Sequence, residues 1–451
     1  MSAALDFTYQ YAFASGVAPS ARGGPQLSLA TCDADHARPH FFQGRMRQPR
    51  AMGEMLYVLS EVVRTHFFLP RPPNLDPVLT SNEAMLRLEG FSGCCGVYAR
   101  VDLPADGFDG DVLGRGTTNV DFNTPMRNAL LRLRDEEDVE LAVGADEVML
   151  SRGEAKIVEK KVKLPLRWIK GFSEVQAYLP RLTLKMEISA AEGLRFVRTL
   201  PRTTKPKMPS YAVSTSRSIR LSQRPQRGAV QILGTHRVKV IEPLLARAKM
   251  LRVWSDDASG ASAWEVAYPS GGTFFLMISP EVFRGFSGEG QVLAALAKPP
   301  PDPVIASVRA ALKWQSQLDA GALAAELGVA ISEVEGALAV LGSRGLAGFD
   351  AGAGRYFHRE LPFDLDKVED MQPRLGNARK LVENGDVRPL ETAGVFEVKG
   401  AGTIHRVTLR EDQDTCTCPW FSKYLGRRGP CKHMLAASLL QDERDKATIS
   451  R

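Results

Sequence analysis

The sequence predicts an α+β multidomain chain, with antiparallel-sheet domains followed by smaller modules. Three observations carry that expectation. Residues 81–200 alternate strand and helix signals and end in several meandering strand-like runs. The stretch Lys298-Pro-Pro-Pro-Asp-Pro303 is a stiff break, beyond which short helical periods replace the strands. Near the C-terminus Cys416, Cys418, Cys431 and His433 fall in the pattern C-x-C-x12-C-x-H.

At 451 residues the chain is expected to hold about three domains of roughly 150 residues each. Hydrophobic content of 44% and charged content of 24% are those of an ordinary soluble globular protein. Six cysteines in this length are not a secreted disulfide scaffold, and the neighbours Cys94 and Cys95 read as buried small residues. A reducing cytoplasm is expected. Asp6 without an early Lys or Arg argues against a secretory signal, and no run of 18 apolar residues is present to span a membrane.

Residues 1–80 form an N-terminal helical or irregular region. Ala51 to Arg64 fits a helix with Met55, Val58, Leu59, Val62 and Val63 on one face. In the α+β domain at 81–215, Val120-Asp-Phe reads as a strand. Thr124-Pro-Met begins a helix with a cap and a proline at its first position. Glu140-Leu-Ala-Val and Glu147-Val-Met-Leu read as a hairpin, and Lys156–Leu164 and Leu182–Ile188 as further strands. One helix followed by meandering strands is also the order in sliding-clamp domains, an order shared by many folds. A second α+β unit at 216–298 carries a helix near Pro243. Its strands are expected at Leu251-Arg-Val-Trp, Trp264-Glu-Val-Ala-Tyr and Thr273–Ile278. Gly90-Phe-Ser-Gly93 recurs as Gly285-Phe-Ser-Gly288, too short a match to prove duplication. Gly288-Glu-Gly290 before a helix could bind an anion through backbone amides, but it lacks the lysine and full spacing of a phosphate loop and reads as a tight turn.

Charge is distributed unevenly. The net charge is +6, yet Gly193 to Ile241 contains no Asp or Glu and eleven cations, leaving the rest of the chain net acidic. Concentrated positive charge points to an anionic partner, and nucleic acid, expected to be DNA, is the class it fits best. Candidate contacts are Arg217, Arg220, Arg224, Arg227, Arg237 and Lys239. Prolines and Ser/Thr in the same window make a solvated basic linker the plainer alternative.

Residues 303–362 contain helical segments around Val304–Trp314, Ala320–Gly328 and Ser332–Leu341. Strand-like Leu346-Ala-Gly-Phe and Arg355-Tyr-Phe-His-Arg follow. Three helices and a two-stranded wing resemble a winged helix-turn-helix. Base reading needs Arg, Lys, Asn or Gln near the start of the third helix, but Glu333 and Glu335 stand there and would repel phosphates. The segment is therefore expected to pack on protein, with Arg355, His358 and Arg359 left to touch backbone.

The last domain, 364–451, holds the cysteine pattern. Phe396-Glu-Val-Lys-Gly and Thr403–Leu409 read as a hairpin, and Met434 onward as a helix with His433 at its start. Cys416, Cys418, Cys431 and His433 are a complete tetrahedral shell for one structural Zn2+, with no position for substrate or water. Lys423, Arg427, Arg428 and Lys432 are near enough in sequence to offset three thiolates. Trp420 and Phe421, between the pairs, are expected to pack around the ion, a contact surface being the alternative. The ligand spacing, with Thr-Cys-Pro and Pro-Cys-Lys-His-Met-Leu-Ala around it, resembles the SWIM-type zinc finger of bacterial proteins over about 380–440. The resemblance implies DNA or protein binding without choosing between them.

No nucleophile motif or H-E-x-x-H occurs, and the remaining histidines are scattered. A non-enzymatic, zinc-binding protein that binds nucleic acid or joins a complex acting on it is expected. The alternative is a protein-interaction scaffold for an ATPase or similar partner.

Overall fold

The computed structural model describes residues 16–19, 25–29, 40–65, 67, 77–82, 84–112, 115–120, 122–144, 164–202, 208–215, 218–282, 284–297, 299–313, 315–361, 372–400, 402–410 and 413–449. Glu147-Val-Met-Leu, most of Lys156–Leu164, and Arg217 lie outside them. No described helix is long and apolar enough to cross a membrane.

One sheet pairs β1 (Gly16–Pro19), β2 (Pro25–Leu29), β3 (His40–Met46), β7 (Phe108–Val112) and β9 (Glu140–Gly144) in the order β1-β2-β9-β3-β7. A larger antiparallel sheet is built from β4 (Val78–Ser81), β5 (Met85–Phe91), β6 (Val97–Pro104), β8 (Gly116–Asn119) and β10 (Thr183–Ser189). It continues through β14 (Met250–Asp256), β15 (Ala261–Ala267) and β16 (Thr273–Ile278), in the order β10-β14-β15-β16-β6-β5-β4-β8. The pairing of β16 with β6, Thr273 opposite Asp102 and Ile278 opposite Val97, carries this sheet across the boundary expected at 215/216. Two units that look separate in sequence thus share one sheet. Local periodicity marks each strand but not its neighbour, and this pairing joins residues far apart in the chain.

Strand alternation explains what covers each face. On β5 and β6, Leu86, Leu88, Val97, Ala99, Val101 and Leu103 are apolar and buried. Helix α1 (Pro49–Arg64) packs against these two strands and buries Met55, Val58, Leu59, Val62 and Val63, the face expected from their spacing. The alternate positions Arg87, Glu89, Arg100 and Asp102 are polar and also buried, so a second layer covers them. The two Gly-Phe-Ser-Gly runs meet beside that sheet: the Phe286 N–H donates to Cys95 O at 2.8 Å, and the Phe91 and Phe286 rings lie 6.1 Å apart.

Helix α2 (Thr124–Arg132) is capped by Asn123, one residue before the expected Thr124, through the Met126 N–H at 3.0 Å. Helices α3 (Leu166–Val175) and α4 (Ala190–Thr199) have no counterpart in the sequence expectation. The helix expected near Pro243 is a series of short turns after α5 (Thr235–Val238). A three-stranded sheet, β11 (Ser210–Ser214) between β12 (Ile219–Ser222) and β13 (Val230–Ile232), lies beside α4.

After α6 (Leu293–Ala297) come α7 (Asp302–Ala311), α8 (Ala320–Leu327) and α9 (Ile331–Ser343). A hairpin of β17 (Ala347–Asp350) and β18 (Arg355–His358) follows, with Leu318 bridging Tyr356. Ile305, Val308, Leu323, Val334, Leu338 and Leu341 form a small core between the three helices. The hairpin is the layer that covers the polar sheet face. Arg87 and Arg100 each bridge Asp102 and Asp350, and Arg359 pairs with Glu89 at 2.7 Å.

The C-terminal module contains α10 (Pro373–Glu383), β19 (Val387–Pro389), β20 (Val395–Gly400), β21 (Thr403–Thr408), β22 (Thr415–Cys416), α11 (Pro419–Tyr424) and α12 (Lys432–Ile449). The strands pair in sequence order. Its core takes Leu293 and Leu296 from α6 and Val292 just before it, so the module closes on the body rather than standing alone.

Candidate metal centre and basic face

Two elements deliver the four ligands. β22, the last strand of its sheet, ends at Cys416, and Cys418 is the N-cap of α11, its sulfur accepting the Phe421 N–H at 3.3 Å. Cys431 and His433 open α12, and Cys431 Sγ accepts the Met434 N–H at 3.4 Å. All four ligand atoms lie within 4.8 Å of one another, and all four residues are buried. His433 Nδ1 is 3.9 Å from Cys416 Sγ and 4.0 Å from Cys431 Sγ. Bonds of roughly 2.0–2.3 Å in a tetrahedron need ligand atoms somewhat under 4 Å apart, so the cluster is close to zinc size.

The donor chemistry fits as well. Hydrogen bonding with Cys416 draws the Cys431 thiol down to about 4, against burial and with help from His433. The same pairing and burial push Cys416 up, and burial raises Cys418. Three sulfurs this close cannot all ionise alone, whereas one divalent cation makes all three thiolates. With Nδ1 facing the sulfurs, the other edge of His433 lies against Gly400, where a Cβ would stand 3.0 Å from Nε2, and against the His405 ring at 4.4 Å. The site holds one structural zinc ion. Phe421 is buried in the module core and Trp420 packs against it, as expected of residues around the ion.

The twelve-residue spacer between the ligand pairs forms the seam with the body. Arg374 of α10 donates to Arg428 O at 2.7 Å and Pro430 O at 3.1 Å, and also to Glu289 O. Arg428 donates to Gly288 O at 2.7 Å, and Gln291 Nε2 to Arg427 O at 2.8 Å. Gly429, at φ 73°, lies so close to Gly290 that any Cβ there would strike its carbonyl. The Gly288-Glu-Gly290 turn does present amides to an anion, and that anion is internal. The Glu174 carboxylate accepts the N–H groups of Gly290 at 2.9 Å and Gln291 at 2.6 Å. Burial pushes Glu174 to about 7 against these bonds, and pushes Glu289 to about 7 against the charge of Arg428. Arg374, Glu174 and Glu289 carry no local motif, and only the closed fold brings them together.

The cations of the acid-free window separate into two groups. Arg220 on β12, and Arg224 and Arg227 in the turn toward β13, are exposed. Arg195 and Arg198 on α4, and Arg202 beyond it, are exposed too, and α4 packs on β12. Arg237 and Lys239 belong inside instead. Arg237 is 0% exposed. It donates to Gly96 O at 2.8 Å, Ser279 O at 2.9 Å and Leu233 O at 3.0 Å, and burial lowers its pKa to about 10. Lys239 Nζ donates to Val197 O at 3.0 Å and Leu200 O at 3.1 Å, neutralising the carbonyl end of α4. Both were expected among the nucleic-acid contacts, and both are held by backbone carbonyls. Charge counting along the sequence does not distinguish a cation facing solvent from one facing carbonyls. The hairpin corrects another expectation, because His358 and Arg359 are buried and only Arg355 remains exposed, paired with Asp319 at 2.9 Å.

Among known proteins, the SWIM zinc finger model matches residues 405–441, the span containing all four ligands. No curated protein matches the chain. Among solved structures, a chain of the PCNA2–PCNA3 complex from Sulfolobus tokodaii is 11% identical with a TM-score of 0.35, over 53% of this chain and 100% of that one. Proliferating Cellular Nuclear Antigen from Entamoeba histolytica is 9% identical with a TM-score of 0.34, over 54% of this chain and 99% of that one. Overlaps this loose carry no inference about this protein.

Proposed function

We propose that this is a non-enzymatic, cytoplasmic, zinc-stabilised protein that binds nucleic acid, with DNA the first candidate, as an accessory to a complex acting on it. One observation carries the reading. Arg195, Arg198, Arg202, Arg220, Arg224 and Arg227 are exposed on adjoining elements, in a window whose own sequence supplies no carboxylate. Among the described residues Arg198 pairs with Glu242 at 3.5 Å, from just beyond that window. Such a face holds phosphates and fixes position rather than sequence.

The 302–358 segment is read as a winged helix that packs on protein. In support, its hairpin is buried on the body, and Glu333 and Glu335 open α9. This inward packing favours the second reading, a protein scaffold, for that segment alone.

The test is duplex DNA binding by anisotropy across a salt series. If about five phosphates are engaged, the slope of log affinity against log salt is near −4 to −5. Arg220→Ser, Arg224→Ser and Arg227→Ser together should flatten it by about 2–3 and weaken all sequences alike. Unchanged affinity and slope would transfer the function to protein binding.

A further inference from the structure

The seam between the zinc module and the body carries a cluster that the basic face does not include. Helix α11 presents Trp420 and Tyr424 with ring centroids 5.1 Å apart. Cations surround them. The Arg428 guanidinium is 4.6 Å from the Tyr424 centroid, Lys423 Nζ is 5.3 Å and the Arg284 guanidinium 5.8 Å from it, and that of Arg374 is 4.9 Å from Trp420. Arg284 comes from the body and the other three from the module.

These cations are not equivalent. Arg374 and Arg428 are engaged by the seam carbonyls, while Arg284, Lys423 and neighbouring Arg427 are exposed and Tyr424 is half-buried. The nearby carboxylates lie deeper. The Glu289 side chain is fully buried beside Arg428, Glu174 is buried under backbone amides, and Glu281 is half-buried. Hydrogen bonding to Arg284, then to Arg428, draws the Tyr424 phenol down to about 8.

We infer that this seam is a composite subsite for single-stranded nucleic acid, with phosphate held by Arg284 and Lys423 and a base stacked at Tyr424. Paired bases inside a duplex cannot reach a surface ring, whereas unpaired bases can, and an aromatic platform lined by cations is the combination single strands use. An acidic peptide would satisfy the cations and leave the ring pair unused. The subsite exists only when the spacer is docked, because Arg284 and Tyr424 sit on opposite sides of the seam. It is therefore zinc-dependent, unlike the arginine face on α4 and β12. This inference rests on the nucleic-acid reading above but on different residues, so the two can fail separately.

The experiment uses full-length, zinc-loaded protein with a labelled oligo-dT and a labelled duplex, read by anisotropy. Tyr424→Ala should weaken oligo-dT binding about tenfold, from the loss of one stacked base, and leave duplex affinity within about twofold. Tyr424→Phe should retain the oligo-dT affinity to within about twofold, because the ring remains. Arg284→Ser, outside the zinc module, should reduce the oligo-dT salt slope by about 0.7. Zinc content equal to wild type confirms that each variant is folded at the seam. Unchanged oligo-dT affinity in both Tyr424→Ala and Arg284→Ser would overturn the subsite, even if the arginine-face variants still weaken duplex binding. A polyglutamate peptide that binds more tightly than oligo-dT, and loses affinity in Tyr424→Ala, would make the seam a protein site and also overturn it. Wild-type protein that binds neither nucleic acid at low salt would remove both readings together.

Discussion

Under the 302–358 segment, side-chain charges meet side-chain charges: Arg87 and Arg100 with Asp102 and Asp350, and Arg359 with Glu89, which also accepts the Tyr98 hydroxyl at 2.5 Å. At the zinc module, Arg428, on a loop whose two ends are metal ligands, and Arg374, which braces that loop, donate to the body carbonyls of Gly288 and Glu289. The first contact is fixed by residue identity and holds whatever the metal does. The second is fixed by loop shape, and the ion sets that shape. Two modules beside one sheet thus differ in what dissolves their attachment.

The largest effect that would sharpen this contrast is loss of the zinc. Structural zinc contributes apparent energies of roughly 10–16 kcal/mol in small zinc-finger peptides at neutral pH. Cys416→Ala, His433→Ala or strong chelation should remove hydrogen-exchange protection from 372–449 and from the 288–297 seam. The 302–358 segment should stay protected. Equal loss in both modules would break the distinction, and protein prepared without chelator that holds no zinc would remove its premise.

Next in size is the charge-paired contact. Against burial, Arg359 and the Tyr98 hydroxyl hold the Glu89 carboxyl below its usual range. Against burial, Arg100 and Arg87 hold Asp350 well below that range. Arg359→Met leaves Glu89 buried without its ion-pair partner, with the Tyr98 hydroxyl still bound to it, a loss of about 3–5 kcal/mol by urea unfolding. Adding Glu89→Met should restore much of it, because the stranded charge is then gone. Lowered carboxylate pKa values contribute stability above the unfolded pKa and lose it as pH falls through the folded value. These two carboxylates lose their contribution below about pH 4.5. Buried His358, lowered to about 4 by burial, adds a loss that begins near pH 6.5, and Asp102, raised by burial, has the opposite sign.

The seam has the opposite sign. Glu174 and Glu289 are raised to about 7, so the folded state binds more protons than the unfolded one between about 4.5 and 7. Their contribution is fully present below about 4.5 and is lost as pH rises through about 7, on the order of 3 kcal/mol for each group. Glu289→Gln should remove part of that slope. Zinc binding by thiolates adds a slope of the opposite sign to wild type and variant alike, so a Glu289→Gln variant with the same slope as wild type between about pH 5 and 8 would contradict the assignment.

The smallest effect concerns α9. Glu333→Lys with Glu335→Lys should leave duplex affinity unchanged or slightly raised, since a helix that avoids phosphates gains from losing its acids. A clear loss in that variant would place α9 on the duplex.

What the sequence made legible follows the range of the interactions. Cys416, Cys418, Cys431 and His433 are readable because the ion's geometry is written in two short spacings. The β20–β21 hairpin around Gly400-Ala-Gly402 is readable for the same reason. Strands β14, β15 and β16 are visible as apolar runs, but their continuation into β6 is not, because nothing local encodes a neighbour so distant in sequence. Nothing local in the sequence marks Arg87, Glu89, Arg100 and Asp102 as buried, and only the hairpin covering them shows it. Arg237 fails for the same reason, since its partners Gly96 and Ser279 are remote from it in the chain. Tyr424 and Arg284 come together only across the seam.

The most direct test compares duplex DNA affinity and salt slope of the zinc-loaded protein with those of the chelated protein, under matched ionic strength. The arginine face lies in the body, so measurable affinity at low salt with a slope near −4 to −5 is expected in both states, the two agreeing within about threefold. Absent affinity at low salt, or duplex binding that collapses when the zinc is removed, would contradict the assignment of phosphate contact to Arg220, Arg224, Arg227 and their neighbours on α4.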